Sequence, residues 1–241
     1  MSGRILLFSG GLDSFITWRM LDKPQCLYVR LGQPYEQAEL GAIGSLLDCV
    51  DIHLVEASLG RHYGHLAHHD GHIPHRNLAL VTAAAALGAE SVCIGALRGE
   101  TSRDKSGRFL RDASRLLTYL EHPVEVVAPF RHLTKTKLVA AYLERFPSEH
   151  DRGLLSRTRS CYDWQGPSCG ECQACMRRWV AMTLNGIEEE YRTPPARAMR
   201  NILRRQPGRP WAHLIRTPLV ELPGVVAANA EAVRAMLGAK R

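Results

Sequence analysis

Apolar runs of strand length recur along the chain at Ile5–Phe8, Cys26–Leu31, Ile52–Val55, Val92–Ile94 and Val124–Val127. They read as continuous hydrophobic stretches rather than alternating ones, as expected of strands buried on both faces. Segments with helical spacing separate them at Phe15–Leu21, Tyr35–Cys49, Arg76–Leu87, Phe109–Leu120 and Lys135–Phe146, with a further one at Met176–Asn185. This order predicts an α/β fold with a doubly wound, mostly parallel sheet, in which ligands sit at the carboxyl ends of the strands.

The junctions between these elements carry the chemistry. The first strand runs into Ser9-Gly10-Gly11-Leu12-Asp13-Ser14 and then directly into a helix. Adjacent glycines permit backbone geometry that a Cβ would obstruct, and amide and hydroxyl donors ahead of a helix N-terminus form a cradle for an anion. Phosphate is the expected anion, although the loop is not the G-x-x-x-x-G-K-[ST] type, because its glycines are adjacent and no lysine follows. Gly32-Gln33-Pro34 turns into a helix that begins with acidic residues. Arg76 and Asn77 open an alanine-rich helix, where they serve either a phosphate or purine edge or simple capping. The polar loop Gly95–Arg108, with Glu100 and Asp104, faces substrate or is a solvated surface loop. Lys135 and Lys137 follow Thr134 at another helix start, and residues two apart do not share a helix face, so one of them at most reaches a site.

Composition narrows the class. Of 241 residues, 45% are hydrophobic and 23% charged, enough for a full core. The longest apolar runs fall short of a membrane span, and the chain opens on a strand rather than a signal peptide, so a cytoplasmic location is expected. Four of the seven cysteines, Cys161, Cys169, Cys172 and Cys175, form a C-x7-C-x2-C-x2-C pattern. Four thiolates at such spacing surround one Zn²⁺ in a closed, structural shell, an iron–sulfur cluster being the alternative. Cys26, Cys49 and Cys93 lie in apolar contexts and read as small core residues. The net charge is +7, and the tail from Arg192 onward, with ten Lys/Arg against two Glu, carries +8; that tail is punctuated by prolines, with one short helix expected at Ala228–Leu237. That basic extension suits a nucleic acid or acidic protein acceptor. His62, His65, His68, His69, His72 and His75 crowd a segment whose glycines break the spacing a second metal site would need, and it is expected to be a loop over the site.

The SGGLDS loop, the Gly32-Gln33 turn, Ile73-Pro74-His75-Arg76-Asn77, Leu133-Thr134-Lys135-Thr136-Lys137 and the block from Ser160-Cys161-Tyr162 to Cys175-Met176-Arg177-Arg178 occur in one order from Leu6 to about Met182. Together they resemble the 7-cyano-7-deazaguanine synthase family of the ATP pyrophosphatase superfamily. The resemblance implies a sheet of the adenine nucleotide alpha hydrolase type and a homodimer. It also implies a reaction in which ATP, Mg²⁺ and ammonia convert 7-carboxy-7-deazaguanine to an amide and then a nitrile. It assigns Ser9, Gly10, Gly11, Leu12, Asp13 and Ser14 to the ATP phosphates, with Arg76 and Asn77 at the nucleotide. Asp13 and Lys135 are its catalytic residues, Gln33, Arg76, Glu100 and Asp104 its substrate contacts, and the four cysteines its zinc ligands.

The expected domains are a core at 1–155, a zinc segment and helix at 156–190, and the basic extension at 191–241. Family members usually carry glycine where His75 stands, and a Tyr-Pro-Asp-Cys-Arg segment after the fourth strand that this chain lacks. Three alternatives follow: a paralogue acting on another carboxylate, such as a protein terminus in a defence or phage system; a tRNA-modifying enzyme using the same adenylation; and a zinc-ribbon binding module with a vestigial loop.

Overall fold

A computed structural model of the chain describes residues 3–57, 73–100 and 102–197. Five strands, β1 (Arg4–Leu7), β2 (Gln25–Arg30), β3 (Ile52–Glu56), β4 (Ser91–Cys93) and β5 (Glu125–Val127), form a sheet of order β3-β2-β1-β4-β5. Every pairing is parallel, with Leu6 between Cys26 and Cys93 in the register. All five expected strands are present to within a residue or two, and the fold is the α/β class expected. The strand order turns in opposite directions from β1, so the switch point lies between β1 and β4, where open parallel sheets hold their ligands.

The described chain divides into two compact units, the first containing residues 3–57, 73–96 and 102–129, the second 97–100 and 130–197. In the first unit, helix α1 (Leu12–Met20) follows β1, α2 (Glu36–Gly44) follows β2, and α3 (Arg76–Ala86) leads into β4. A short 3₁₀ turn at Arg103–Lys105 precedes α4 (Gly107–Leu120). Ile5, Leu27, Val29, Val92 and Val126 on one face of the sheet pack with Val81, Ala84, Leu110, Ala113 and Leu117 from α3 and α4. The small residues of α3 allow that close approach, and burying such a face supplies most of the unit's hydrophobic stabilisation. Helix α1 is buried almost all round, through Leu12, Phe15, Ile16 and Trp18.

The second unit is helical. It contains α5 (Lys135–Arg145), α6 (Glu149–Arg157) and α7 (Gln173–Thr183), with the cysteine segment between α6 and α7. Helix α6 is absent from the sequence reading; it starts at Ser148, whose hydroxyl accepts from Asp151 N at 3.1 Å, and buries Leu154 and Leu155. Residue 155, the expected end of the core, thus lies inside a helix. Tyr142, fully buried, donates to Asp151 O at 3.0 Å and ties α5 to α6.

The histidines from His62 to His72, the helix expected at Ala228–Leu237 and the basic extension beyond residue 197 lie outside the described residues. Among the described residues, no helix is long and apolar enough to cross a membrane.

Candidate active site and metal centre

The turn after β1 is shaped by what it touches. Gly10 has φ +68°, and a Cβ there would stand 2.7 Å from Ala42 Cβ and 2.8 Å from Ile43 N of α2. Only glycine meets both conditions. Ser14 Oγ donates to Gly11 O at 3.0 Å and accepts from Ser9 N at 3.3 Å, closing the turn on the first turn of α1. Leu12 is 0% exposed, so it anchors the loop in the core. Asp13 occupies the first helical turn. On the far side of the switch point, a Cβ on Gly95 would lie 3.6 Å from Ser14 N, which brings the end of β4 against this turn. Ser9, Gly10, Gly11, Leu12, Asp13 and Ser14 are thus gathered at the positive end of α1, an electrostatic setting that favours an anion.

Beside it runs a polar cluster that the sequence reading resolved only in part. Gln33, buried, donates from Nε2 to Glu39 Oε2 at 2.7 Å and Tyr28 Oη at 2.9 Å, and its Oε1 accepts from Leu31 N at 3.1 Å. Its amide is thus committed to the interior at both ends. Tyr28 also donates to Glu39, at 2.9 Å. Arg76 donates to the Tyr35 hydroxyl and lies over that ring, while Asn77 Nδ2 donates to Asp104 O at 3.2 Å. The Ser102 hydroxyl donates to the Asp104 carboxylate. Burial pushes the Glu39 carboxyl up, against the opposing pull of Arg76, Gln33 and Tyr28. Burial opposes the charge on Arg76, but Tyr35, Glu39 and Asp104 more than offset it and hold the guanidinium charged. Gln33, Arg76, Asn77 and Asp104 are accordingly brought together, with Tyr28, Tyr35 and Glu39 as additions that sequence left unassigned. Glu39 was visible only as an acidic residue near a helix start.

Glu100 belongs to the second unit. Its side chain is 7% exposed; Oε2 accepts from Leu97 N at 3.2 Å and Oε1 from Arg177 at 3.4 Å. Lys135 is the first residue of α5, half-buried, while Lys137 is exposed. The two lysines do diverge, as their spacing requires.

In the same unit the four cysteine sulfurs lie within 4.8 Å of one another, and Cys169 Sγ is 3.8 Å from Cys175 Sγ. Four sulfurs about 2.3 Å from a central ion in a tetrahedron stand about 3.8 Å apart, so the shell fits one ion rather than a wider multi-iron cluster. Backbone amides of Cys169, Cys172 and Cys175 donate to sulfurs of the set at 3.3–3.4 Å. S–H donation from Cys172 and Cys175 pulls the Cys161 thiol down, and the resulting thiolate pushes Cys172 up to about 11. Without a cation the shell thus resists full ionisation, and a bound dication would reverse that balance.

The segment after α7 closes this centre. Arg192 N donates to Ser168 O at 2.9 Å and Thr193 N to Cys169 O at 3.1 Å. Arg178, 3% exposed, is held by Glu189 at 2.6–2.9 Å, by Thr158 at 2.7 Å and by Leu155 O at 2.8 Å, and Tyr191 donates to Glu189 at 2.7 Å. None of this strap was anticipated from sequence.

A family model described as "Queuosine biosynthesis protein QueC" matches residues 51–186, more than half of the chain. Among curated proteins, the chain is 38% identical over 118 residues to a 7-cyano-7-deazaguanine synthase of Methanothermobacter thermautotrophicus, covering 46% of this chain and 50% of that relative. It is 26% identical over 226 residues to the synthase of Chlorobium chlorochromatii, covering 79% of this chain and 96% of the relative. With the synthase of Pyrococcus furiosus it shares 32% identity over 129 residues, 48% of this chain and 51% of that one. The similar stretch thus spans about half the length of the first and third relatives and nearly all of the second. The family match runs from β3 through the cysteine centre to the end of α7, and on that match the chain belongs to the queuosine biosynthesis protein QueC family.

Proposed function

We propose that the protein is an ATP-dependent ligase that converts 7-carboxy-7-deazaguanine to its amide and then to the nitrile. The observation that carries this reading is the glycine turn at the β1/β4 switch point, built so tightly on α2 that its backbone donors have a fixed direction. The activity for which the relatives are named supplies the substrate class. A carboxylate reacts poorly with ammonia because oxide is a poor leaving group. Attack of the carboxylate oxygen on the α-phosphorus of ATP breaks the bond to pyrophosphate and gives an acyl-adenylate. Ammonia then adds to the acyl carbon and AMP departs; a second adenylation, on the amide oxygen, precedes loss of AMP and protons to leave the nitrile. Such chemistry needs cations and oriented donors around the phosphates more than a protein nucleophile.

In this reading the Ser9–Ser14 backbone holds the pyrophosphate and ATP enters as its Mg²⁺ complex. Arg76 and Asn77, kept in place by Tyr35 and Asp104, bind nucleotide or substrate, and Lys135 serves the reacting phosphate. Gln33 positions Tyr28 and Glu39, a narrower role than direct substrate contact. The four cysteines hold zinc, whose chemistry there is structural. A homodimer and a cytoplasmic location follow the family resemblance.

A second reading, adenylation of another carboxylate such as a protein terminus, draws on the loop after β4, where Glu100 is turned onto Arg177 and Asp104 onto Ser102. Thiolation of tRNA has less support, because burial pushes the Cys93 thiol up to about 11 and that of Cys26 further still. Mass spectrometry of products from purified protein, ATP, Mg²⁺, ammonium and 7-carboxy-7-deazaguanine tests the first reading. Nitrile with AMP is the expected outcome, and its absence alongside retained ATP binding points to the second. Asp13→Ala is expected to abolish AMP formation at an unchanged melting temperature.

A further inference from the structure

The loop that leaves β4 is tied to helix α7, which follows the cysteine segment, by the Arg177–Glu100 ion pair. Leu97, Arg98, Gly99 and Glu100 form a four-residue turn, with Glu100 N donating to Leu97 O at 3.3 Å and Gly99 at φ +87°. One contact closes the turn on itself and two tie it to the rest of the second unit. Arg98 N donates to Leu133 O at 2.8 Å, Leu97 N donates to Glu100 Oε2 at 3.2 Å, and Arg177 donates to Glu100 Oε1 at 3.4 Å. The Glu100 side chain is 7% exposed and that of Arg177 19%, so the pair is screened little by water.

Arg177 lies two residues after Cys175 and five after Cys172, the N-cap of α7. An ion held by those sulfurs fixes the first turn of α7, and with it the origin of the Arg177 side chain. Glu100 in turn orients the turn by accepting from its first amide. We infer that Arg177 is a positioning residue through which the four-cysteine centre holds the turn Leu97–Glu100 in the form that binds the acceptor carboxylate substrate. Glu100 is then the joint of the clamp, and the metal centre acts on substrate binding as well as on folding. The bearing on substrate rests on the proposed function; the clamp itself does not.

Hydrogen exchange and kinetics on the full chain separate the two. Arg177→Met is expected to retain zinc, measured by elemental analysis, while amide exchange at Leu97 rises about tenfold, the loss of one charged hydrogen-bond partner. KM for the carboxylate is expected to rise by a similar factor with KM for ATP unchanged, and Arg177→Lys to recover part of both. Glu100→Gln is the second variant, and the double variant is expected to be no worse than the poorer single one, because both act on one joint. Unchanged exchange in both single variants, or fully additive losses, would overturn the clamp. Raised exchange without a shift in carboxylate KM would overturn its role in substrate binding. Should the chain prove inactive on 7-carboxy-7-deazaguanine, the exchange arm still decides whether the clamp exists.

Discussion

At Gly170 an added Cβ would fall 1.7 Å from Thr193 O, and the backbone there has φ +76°. The obstacle is main chain, so it has no side-chain rotation to relieve it. Gly170→Ala is therefore expected to displace the strap at Arg192–Thr193 and cost about 3 kcal/mol or more, read as a lowered denaturant midpoint together with weakened zinc retention. His75 presents the opposite case. It caps α3 with φ 60° and ψ 10°, a left-handed conformation, at the position where the resembled family usually has glycine. A side chain there costs roughly 1–2 kcal/mol, against roughly 0.5–1 kcal/mol for the extra freedom glycine brings to the unfolded chain. His75→Gly should raise stability by about 0.5–1 kcal/mol in chemical denaturation. A loss instead would show that the imidazole makes a contact worth more than its strain.

Helix α7 shows how one residue can serve an element in two ways. The Cys172 sulfur accepts from Cys175 N as the helix N-cap and is also one of the four candidate metal ligands. Serine is a good cap and a poor zinc ligand, whereas alanine is neither. Cys172→Ser should therefore lose zinc while keeping the cap, and Cys172→Ala should be less stable than Cys172→Ser by about 1 kcal/mol. The check is zinc content beside melting temperature. A stable, zinc-free and active Cys172→Ser protein would refute a structural role for the metal. Helix α6 carries a lesson about legibility at the same scale. Its Ser148 cap is local and readable, but Gly153 in mid-helix weakens the propensity signal, and burial of Leu154 and Leu155 against the unit is what makes the segment helical.

For the whole molecule, the buried Arg178 network is what joins α6, α7 and the segment after it. Removing one partner leaves a carboxylate buried without its cation, so Arg178→Met is expected to cost about 3–5 kcal/mol in thermal or chemical unfolding. Pairing it with Glu189→Leu should recover part of the loss, since neither charge then remains buried alone. The first unit depends on a different device, apolar packing of α3 and α4 on a parallel sheet. Its polar cluster around Glu39 and Arg76 adds orientation at the carboxyl edge rather than bulk stability.

The sequence by itself determined the five strands, the glycine turn with its helix and the cysteine quartet, because each is specified by residues within a few positions of one another. Periodicity and spacing are local quantities, and local geometry decides them. Only the tertiary structure decided the strand order, the turning of Gln33 into the interior, the partnership of Arg76 with Tyr35, and the strap across the cysteine centre. Arg177 and Glu100 are 77 positions apart. No local pattern encodes such a pair, since it exists only once the second unit has folded and closed the intervening chain.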